Sequence, residues 1–299
     1  MSYLIKPQDD FIYDIEFDMD LNPYGIRLSS LKYENTTHLT HRVYRASFYR
    51  MIWVSSGTVS LDLDLEAVTL SKDDFLFIGK NQVFQLKEFD KFNAYLIDFT
   101  ENFYARNQLD IDLLQRSSLF YNDSGIVKLH LEEPYKEILK GFLSFFKGIN
   151  YKEYDQLLYQ FAHNTVERML LFAELNLKLE NNLTVPLVYT NSKEHSLIKQ
   201  FQNLVANYYI AEKGVSFYAK QLNVSSRSLA AACTVANKPS PKRIIIDRIL
   251  VEAKRLLKFT DLSVKEITYR LGYDQYNSFI KLFTSNVGLT PMNFREKFH

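Results

Sequence analysis

The sequence predicts an α+β protein: a β-rich N-terminal domain, a helical segment and an all-α C-terminal domain. Three observations predict it. Short apolar runs punctuated by turn residues fill residues 11–100, apolar residues recur at helical spacing from about Pro134, and the C-terminal third repeats one helical motif. Runs of the first kind mark strands, and a 3.6-residue period marks amphipathic helices.

At 299 residues the chain is long enough for two domains of ordinary size. With 46% hydrophobic and 24% charged residues it falls among globular proteins, far from the disordered regime. No run approaches the roughly 18 apolar residues of a membrane span. The start, MSYLIKPQDD, has neither the basic nor the apolar region of a secretory signal. A single cysteine excludes an intramolecular disulfide and a four-cysteine zinc site. The expected setting is the reducing cytoplasm, with no membrane partner.

The net charge of +1 conceals an asymmetry. Residues 190–299 hold 17 Lys and Arg against 8 Asp and Glu, a surplus of +9. The preceding 189 residues hold 19 against 27, a balance of −8. Such a division points to a polyanion as the partner of the C-terminal part alone.

Strands are expected at Arg50–Val54, Val59–Leu65, Asp74–Ile78 and Ala94–Phe99, which are rich in Val, Ile, Phe, Leu and Trp. Turns at Ser55–Gly57, Lys72–Asp73, Gly79–Asn81 and Glu88–Asp90 separate them, the spacing of a sandwich or barrel. Ile138, Phe142, Phe145 and Phe146 then mark one helix, and Tyr154, Leu158, Phe161, Met169 and Phe172 a second. Gly148–Asn150 breaks the two apart. The polar stretch from Glu180 to Ser192, with Pro186 inside it, reads as a linker.

The C-terminal repeat pairs Tyr218-Ala-Lys-Gln-Leu222-Asn-Val224-Ser225 with Ile267-Thr-Tyr-Arg-Leu271-Gly-Tyr273-Asp274. With one residue inserted in the second copy, Leu229 matches Phe279 and Cys233 matches Phe283; Ser240-Pro241 matches Thr290-Pro291. Each copy is a short helix, a tight turn and a second helix, the helix-turn-helix arrangement. Ser263 and Glu266 fit a capping box, and Asp274 is expected to cap the helix after it. Gly272 falls where the turn needs a free backbone, and Gly288 where a helix ends in a left-handed residue. Ser240-Pro241 and Thr290-Pro291 each set an oxygen cap before a first-turn proline. Between the copies, Pro241 to Lys258 reads as one helix of roughly 27 Å, a span that sets two readers about one DNA turn apart.

At this point residues 195–299 resemble the DNA-binding domain of the AraC/XylS family of bacterial transcription regulators. The resemblance rests on Asp261-Leu-Ser-Val-Lys-Glu-Ile-Thr-Tyr-Arg-Leu-Gly-Tyr273, Asn277-Ser-Phe-Ile-Lys-Leu-Phe283 and Gly288-Leu-Thr-Pro291. It implies a cupin-like β-barrel (jelly roll) sensor over 1–133, a helical dimerisation segment over 134–180, a linker over 181–194 and the double helix-turn-helix domain over 195–299. A thinner resemblance supports the barrel, on Val54-Ser-Ser-Gly-Thr-Val59 and Leu70-Ser-Lys-Asp-Asp-Phe75. The implied partners are double-stranded DNA, RNA polymerase, a small-molecule effector and a second copy of the chain. Activation is favoured over repression. The apolar surplus of the helical segment, including Leu157, Phe161, Met169, Leu170 and Phe172, agrees with a homodimer, with Phe142 and Phe161 as its probes.

The resemblance also implies that the second helix of each unit enters the major groove. The carried-over reading positions are Arg227, Ala230 and Ala231, with Ser226 as a further polar group, and Tyr276, Asn277, Ile280 and Lys281. Asn277 suits an adenine edge, Lys281 a guanine edge or phosphate, and Ile280 a thymine methyl. The first unit departs from the pattern: Ala230 to Ala232 replace frequent polar residues, Thr234 and Thr284 replace lysines, and Lys238 stands where glycine is usual beside Asn237.

Residues that carry catalysis are sparse. No histidine lies between 42 and 129, and His38-x-x-His41 has no third ligand nearby, so no metal, cofactor or catalytic residue is expected. Cys233 matches an apolar position in the repeat, and Trp53 lies in a strand run; both read as core. A cupin-type enzyme with an accessory DNA-binding domain is the alternative, and a barrel serving assembly alone is a third reading.

Overall fold

Alternation of inward and outward side chains at every second residue builds the N-terminal unit of this computed structural model. It describes residues 4–6, 12–35, 42–107, 110, 114, 117, 119–120, 126–133, 135–147, 156–180, 193–236 and 238–298. Pro134, Gly148–Asn150, Tyr154, Asn181 to Ser192, His38, His41 and Asn237 lie outside them. The chain divides into two compact units, Met1–Val185 and Pro186–His299.

In the first unit β1 (Leu4–Lys6), β2 (Ile12–Glu16), β4 (Val43–Ala46), β9 (Val83–Phe89), β6 (Thr58–Leu63) and β7 (Glu66–Ser71) form one sheet in that spatial order. The second sheet runs β11 (Lys128–His130), β8 (Asp74–Ile78), β5 (Tyr49–Ser56), β10 (Asn93–Phe99) and β3 (Ile26–Lys32). All pairings are antiparallel except β2 with β4. The expected strands appear as β5, β6, β8 and β10. β6 stops at Leu63 rather than Leu65, because Asp64 at φ 52° opens a tight turn into β7. Gly57 at φ 74° turns β5 into β6, and Asp73 at φ 70° turns β7 into β8. Among the described residues no strand pairs one sheet to the other, so the jelly roll is an open two-sheet sandwich rather than a closed barrel.

Two apolar layers follow from the alternation. Ile52, Leu76 and Leu96 meet Ile15, Tyr44 and Leu61 between the sheets. On the opposite face, Met51, Phe77 and Phe99 pack beneath two helices, α2 (Tyr135–Lys147) and α3 (Gln156–Glu180), which follow the short α1 (Glu101–Tyr104). Trp53 belongs to this layer, stacked on Tyr95 with ring centroids 5.6 Å apart. Phe142 also belongs to the core, only 2% exposed, and is therefore no probe of a surface; Leu170 is buried as well. Leu157, Phe161, Leu171 and Leu175 of α3 remain exposed.

One charged group lies within the apolar sandwich. Asp98 on β10 is opposite Arg27 on β3 and Arg50 on β5, and its alternation with Leu96 aims it between the sheets. Its carboxylate accepts from Arg27 Nη2 at 2.6 Å and from Arg50 Nε at 2.7 Å and Nη2 at 3.0 Å. The guanidiniums stand over the Phe17, Phe48 and Phe84 rings at 5.2–5.9 Å. Burial alone raises the Asp98 pKa, but Arg50 and Arg27 outweigh it and hold the carboxyl below its usual range.

The second unit is all-helical: α4 (Lys193–Tyr208), α5 (Val215–Gln221), α6 (Ser226–Val235), α7 (Pro241–Phe259), α8 (Val264–Arg270), α9 (Tyr276–Val287) and α10 (Pro291–Phe298). α7 touches α4 and α6 on one side of the repeat and α8 and α10 on the other. Its buried face, with Ile245, Ile249, Ala253 and Leu256, is shared by both halves.

Candidate nucleic-acid interface

Oxygen caps decide where the helices of this unit begin. Ser225 Oγ accepts from Ser228 N at 3.0 Å and starts α6; Ser240 Oγ accepts from Arg243 N at 3.3 Å and starts α7 ahead of Pro241. Ser263 and Glu266 form the expected reciprocal box at α8, and Thr290 Oγ1 accepts from Asn293 N at the start of α10. Asp274 is not the cap of α9. Gln275 takes that place, without a side-chain hydrogen bond, because the residue inserted in the second copy shifts the helix start by one.

The two turns share one backbone conformation supplied by different residues. Gly272 has φ 72°, and Asn223, its counterpart in the repeat, has φ 55°. Asparagine tolerates the left-handed region; most residues pay for it. Gly288 ends α9 at φ 79° in the left-handed conformation expected of it. Lys238 N donates to Cys233 O at 2.8 Å beyond the end of α6.

Buried anchors set the rotation of α6 and α9. Leu229 and Cys233 are inaccessible on α6, as are their repeat partners Phe279 and Phe283 on α9. Counted from the first residue of each helix, Ser226 corresponds to Tyr276, Arg227 to Asn277, Ala230 to Ile280 and Ala231 to Lys281. All are exposed except Ile280, which is half-buried. Thr234 and Thr284 extend the same face by one turn. Among the described residues the side chains of Arg227, Asn277 and Lys281 make no hydrogen bond or ion pair. The arrangement therefore presents two parallel-built helix faces, one holding two alanines and one holding an amide and an ammonium.

Several other basic residues of this unit are committed to the fold. Arg255 and Arg248 pair with buried Glu252. Arg295 donates to the carbonyls of Leu257 at 3.2 Å and Leu262 at 2.5 Å. Arg243 bridges Asp247 and Asn286, tying α7 to α9. Lys213 donates to Ile210 O at 2.7 Å and Gly272 O at 2.6 Å, and stands 4.7 Å from the Tyr273 ring centroid. Desolvation lowers its pKa. It fastens the lead-in of the first half to the turn of the second. No local sequence signal marks this contact, because its partners are carbonyls in loops.

The remaining candidates fall elsewhere. Cys233 is 1% exposed, with its thiol pKa raised by burial, which leaves little thiolate. Among the described residues no three His, Cys, Asp or Glu side chains gather as a metal site. No described helix is long and apolar enough to cross a membrane.

Residues 218–297 match the family model of a helix-turn-helix domain. Over 106 residues the chain is 32% identical to YdiP, an uncharacterised HTH-type transcriptional regulator of Escherichia coli strain K12, covering 36% of this chain and 35% of that protein. Over 134 residues it is 26% identical to RhaS, an HTH-type transcriptional activator of Escherichia coli O139:H28, covering 44% of this chain and 47% of that protein. The match thus takes in about half or less of these relatives' own length. Among solved structures, ToxT of Vibrio cholerae aligns over 92% of this chain and 99% of its own, at 14% identity and a TM-score of 0.42. The C-terminal domain of AraT, a response regulator of Geobacillus stearothermophilus, aligns over 36% of this chain and 88% of its own, at 22% identity and a TM-score of 0.33.

Proposed function

Because residues 218–297 match a helix-turn-helix family model and residues 195–299 carry the motifs that resemble the AraC/XylS regulators, we propose that the chain is a sequence-specific regulator of transcription that reads double-stranded DNA through α6 and α9. The observation that carries this reading is the equivalent exposed register of the two helices, with Arg227, Asn277 and Lys281 uncommitted to the fold. Asn277 and Lys281 reach base edges of the major groove, Ile280 and Tyr276 the apolar edge beside them, and Ser226 and Arg227 the backbone or a guanine. Ala230 and Ala231 offer methyl contacts alone. The +9 balance of residues 190–299 supplies the phosphate attraction. The relatives named as a transcriptional regulator and an activator, YdiP and RhaS, support this reading over an enzyme with an accessory DNA-binding domain.

A binding-site selection with the intact protein tests the reading. Base preference is expected to concentrate in the half-site under α9, and affinity to fall steeply with salt. Asn277→Ala is expected to lose about 1–3 kcal/mol on the selected site and to relax preference at one base pair. Arg227→Ala separates its two roles: uniform loss across sequences assigns it to phosphate, loss confined to one base assigns it to guanine. Equal information in both half-sites sinks the asymmetry.

Homodimerisation through α3 completes the proposal. Leu157, Phe161, Leu171 and Leu175 lie along one exposed side, 43–70% accessible, at spacings that keep them on a single seam. Phe161→Asp or Leu171→Asp is expected to convert a dimer to a monomer in sedimentation at micromolar concentration, without unfolding the chain. A monomeric unmodified protein would end this part of the proposal. Activation rather than repression, contact with RNA polymerase, a cytoplasmic location and control by a small effector follow from the same family reading, with RhaS named an activator.

A further inference from the structure

A cavity of about 180 Å³ opens in the N-terminal unit between the outer face of the second sheet and the helices α2 and α3. Phe75 of β8 and Leu129 of β11 form its sheet side, Ile138 of α2 and Met169 and Ala173 of α3 its helix side. Its walls are almost wholly apolar. Empty apolar cavities of about 150 Å³ stay dry and accept benzene, so this one has room for a ring or branched chain and a few further atoms.

Among the described residues the one charged side chain in the lining is Arg168 of α3, which is also exposed to solvent and so stands at the mouth. Among the described residues its side chain makes no hydrogen bond or ion pair. A carboxylate drawn fully into apolar walls loses its hydration without return, whereas one held at the mouth keeps water and gains a guanidinium. The planar fork of arginine matches a carboxylate in two parallel hydrogen bonds. We propose that this cavity binds a small apolar carboxylate, its ring or branched chain inside and its carboxylate on Arg168. The size sets the ligand at about ten heavy atoms. This site is separate from the DNA-reading helices, and its test does not depend on them.

The test titrates the intact protein with 3-phenylpropanoate and with 3-phenylpropan-1-ol, followed by calorimetry. The acid is expected to bind saturably in the millimolar range or tighter, about ten-fold more tightly than the alcohol. Arg168→Gln, at an exposed position, is expected to abolish that preference while the alcohol binds as before. Ala173→Phe fills the cavity and is expected to remove binding of both, with Trp53 fluorescence reporting whether the variant is folded. The proposal is overturned by failure of the acid to saturate the unmodified protein, by equal affinity for acid and alcohol, or by an unchanged preference in Arg168→Gln.

Discussion

Replacing Asp98 by alanine is expected to destabilise the N-terminal unit by about 3–5 kcal/mol, because it leaves two buried guanidiniums without their counter-charge. That is a large share of the roughly 5–15 kcal/mol that holds an ordinary domain together. Arg50 is 4% and Arg27 9% exposed, so water reaches neither well enough to replace the lost carboxylate. The rings of Phe17, Phe48 and Phe84 soften the loss without reversing it. Trp53 is the chain's single tryptophan and lies on β5, the strand that carries Arg50, so its emission in a denaturant titration reports this unit. An unchanged midpoint for Asp98→Ala sinks the argument. The same group gives a pH dependence. Its folded pKa lies below the unfolded value of about 3.9, so its contribution is complete above that value and is lost as pH falls through the lower folded one.

Gly272→Ala is expected to cost roughly 3 kcal/mol in the C-terminal unit and to weaken DNA binding with it. Two terms add. A left-handed backbone costs a residue with a Cβ about 1–2 kcal/mol. The new Cβ would also strike the carbonyl oxygen of Ile210, a backbone atom that moves only with the loop, and would crowd Lys213 Nζ at 2.7 Å. Gly288 is the internal control. Its φ of 79° carries the same conformational cost, yet nothing lies within 4 Å of its absent Cβ, so Gly288→Ala should lose only the first term. Helical circular dichroism during denaturation measures both variants, and equal losses would show that the approach to Ile210 contributes nothing.

Much of the C-terminal unit was legible because its signals are local. The Ser263–Glu266 box, Ser240 before Pro241 and the left-handed Gly288 each act within one turn of helix, and sequence distance there equals spatial distance. Asp274 misled for the same reason: a one-residue insertion moves the cap to Gln275, and cap chemistry alone does not register the shift. In the N-terminal unit the alternating runs placed β5, β8 and β10, whereas the end of β6 depends on Asp64, followed by a leucine that carries no turn signal. Asp98 was illegible, since Arg50 and Arg27 lie 48 and 71 residues away and only the sheet register brings them opposite. Phe142 and Phe161 share a helical period with core and surface alike, and only packing assigns one to each.

The helix α7 has a consequence for what lengths this chain tolerates. Its 19 residues form a rigid rod of roughly 28 Å that both halves grip along the same buried face. A rod of this kind sets phase as well as distance. One added residue turns everything beyond it by about 100° while lengthening the rod by only about 1.5 Å, so the second reader would face away from a groove it could still reach. Seven added residues restore the facing to within about 20° but lengthen the rod by about 10 Å, close to a third of a DNA turn. Insertions this short thus satisfy angle or span but not both, and the length of α7 acts as a vernier on the two together.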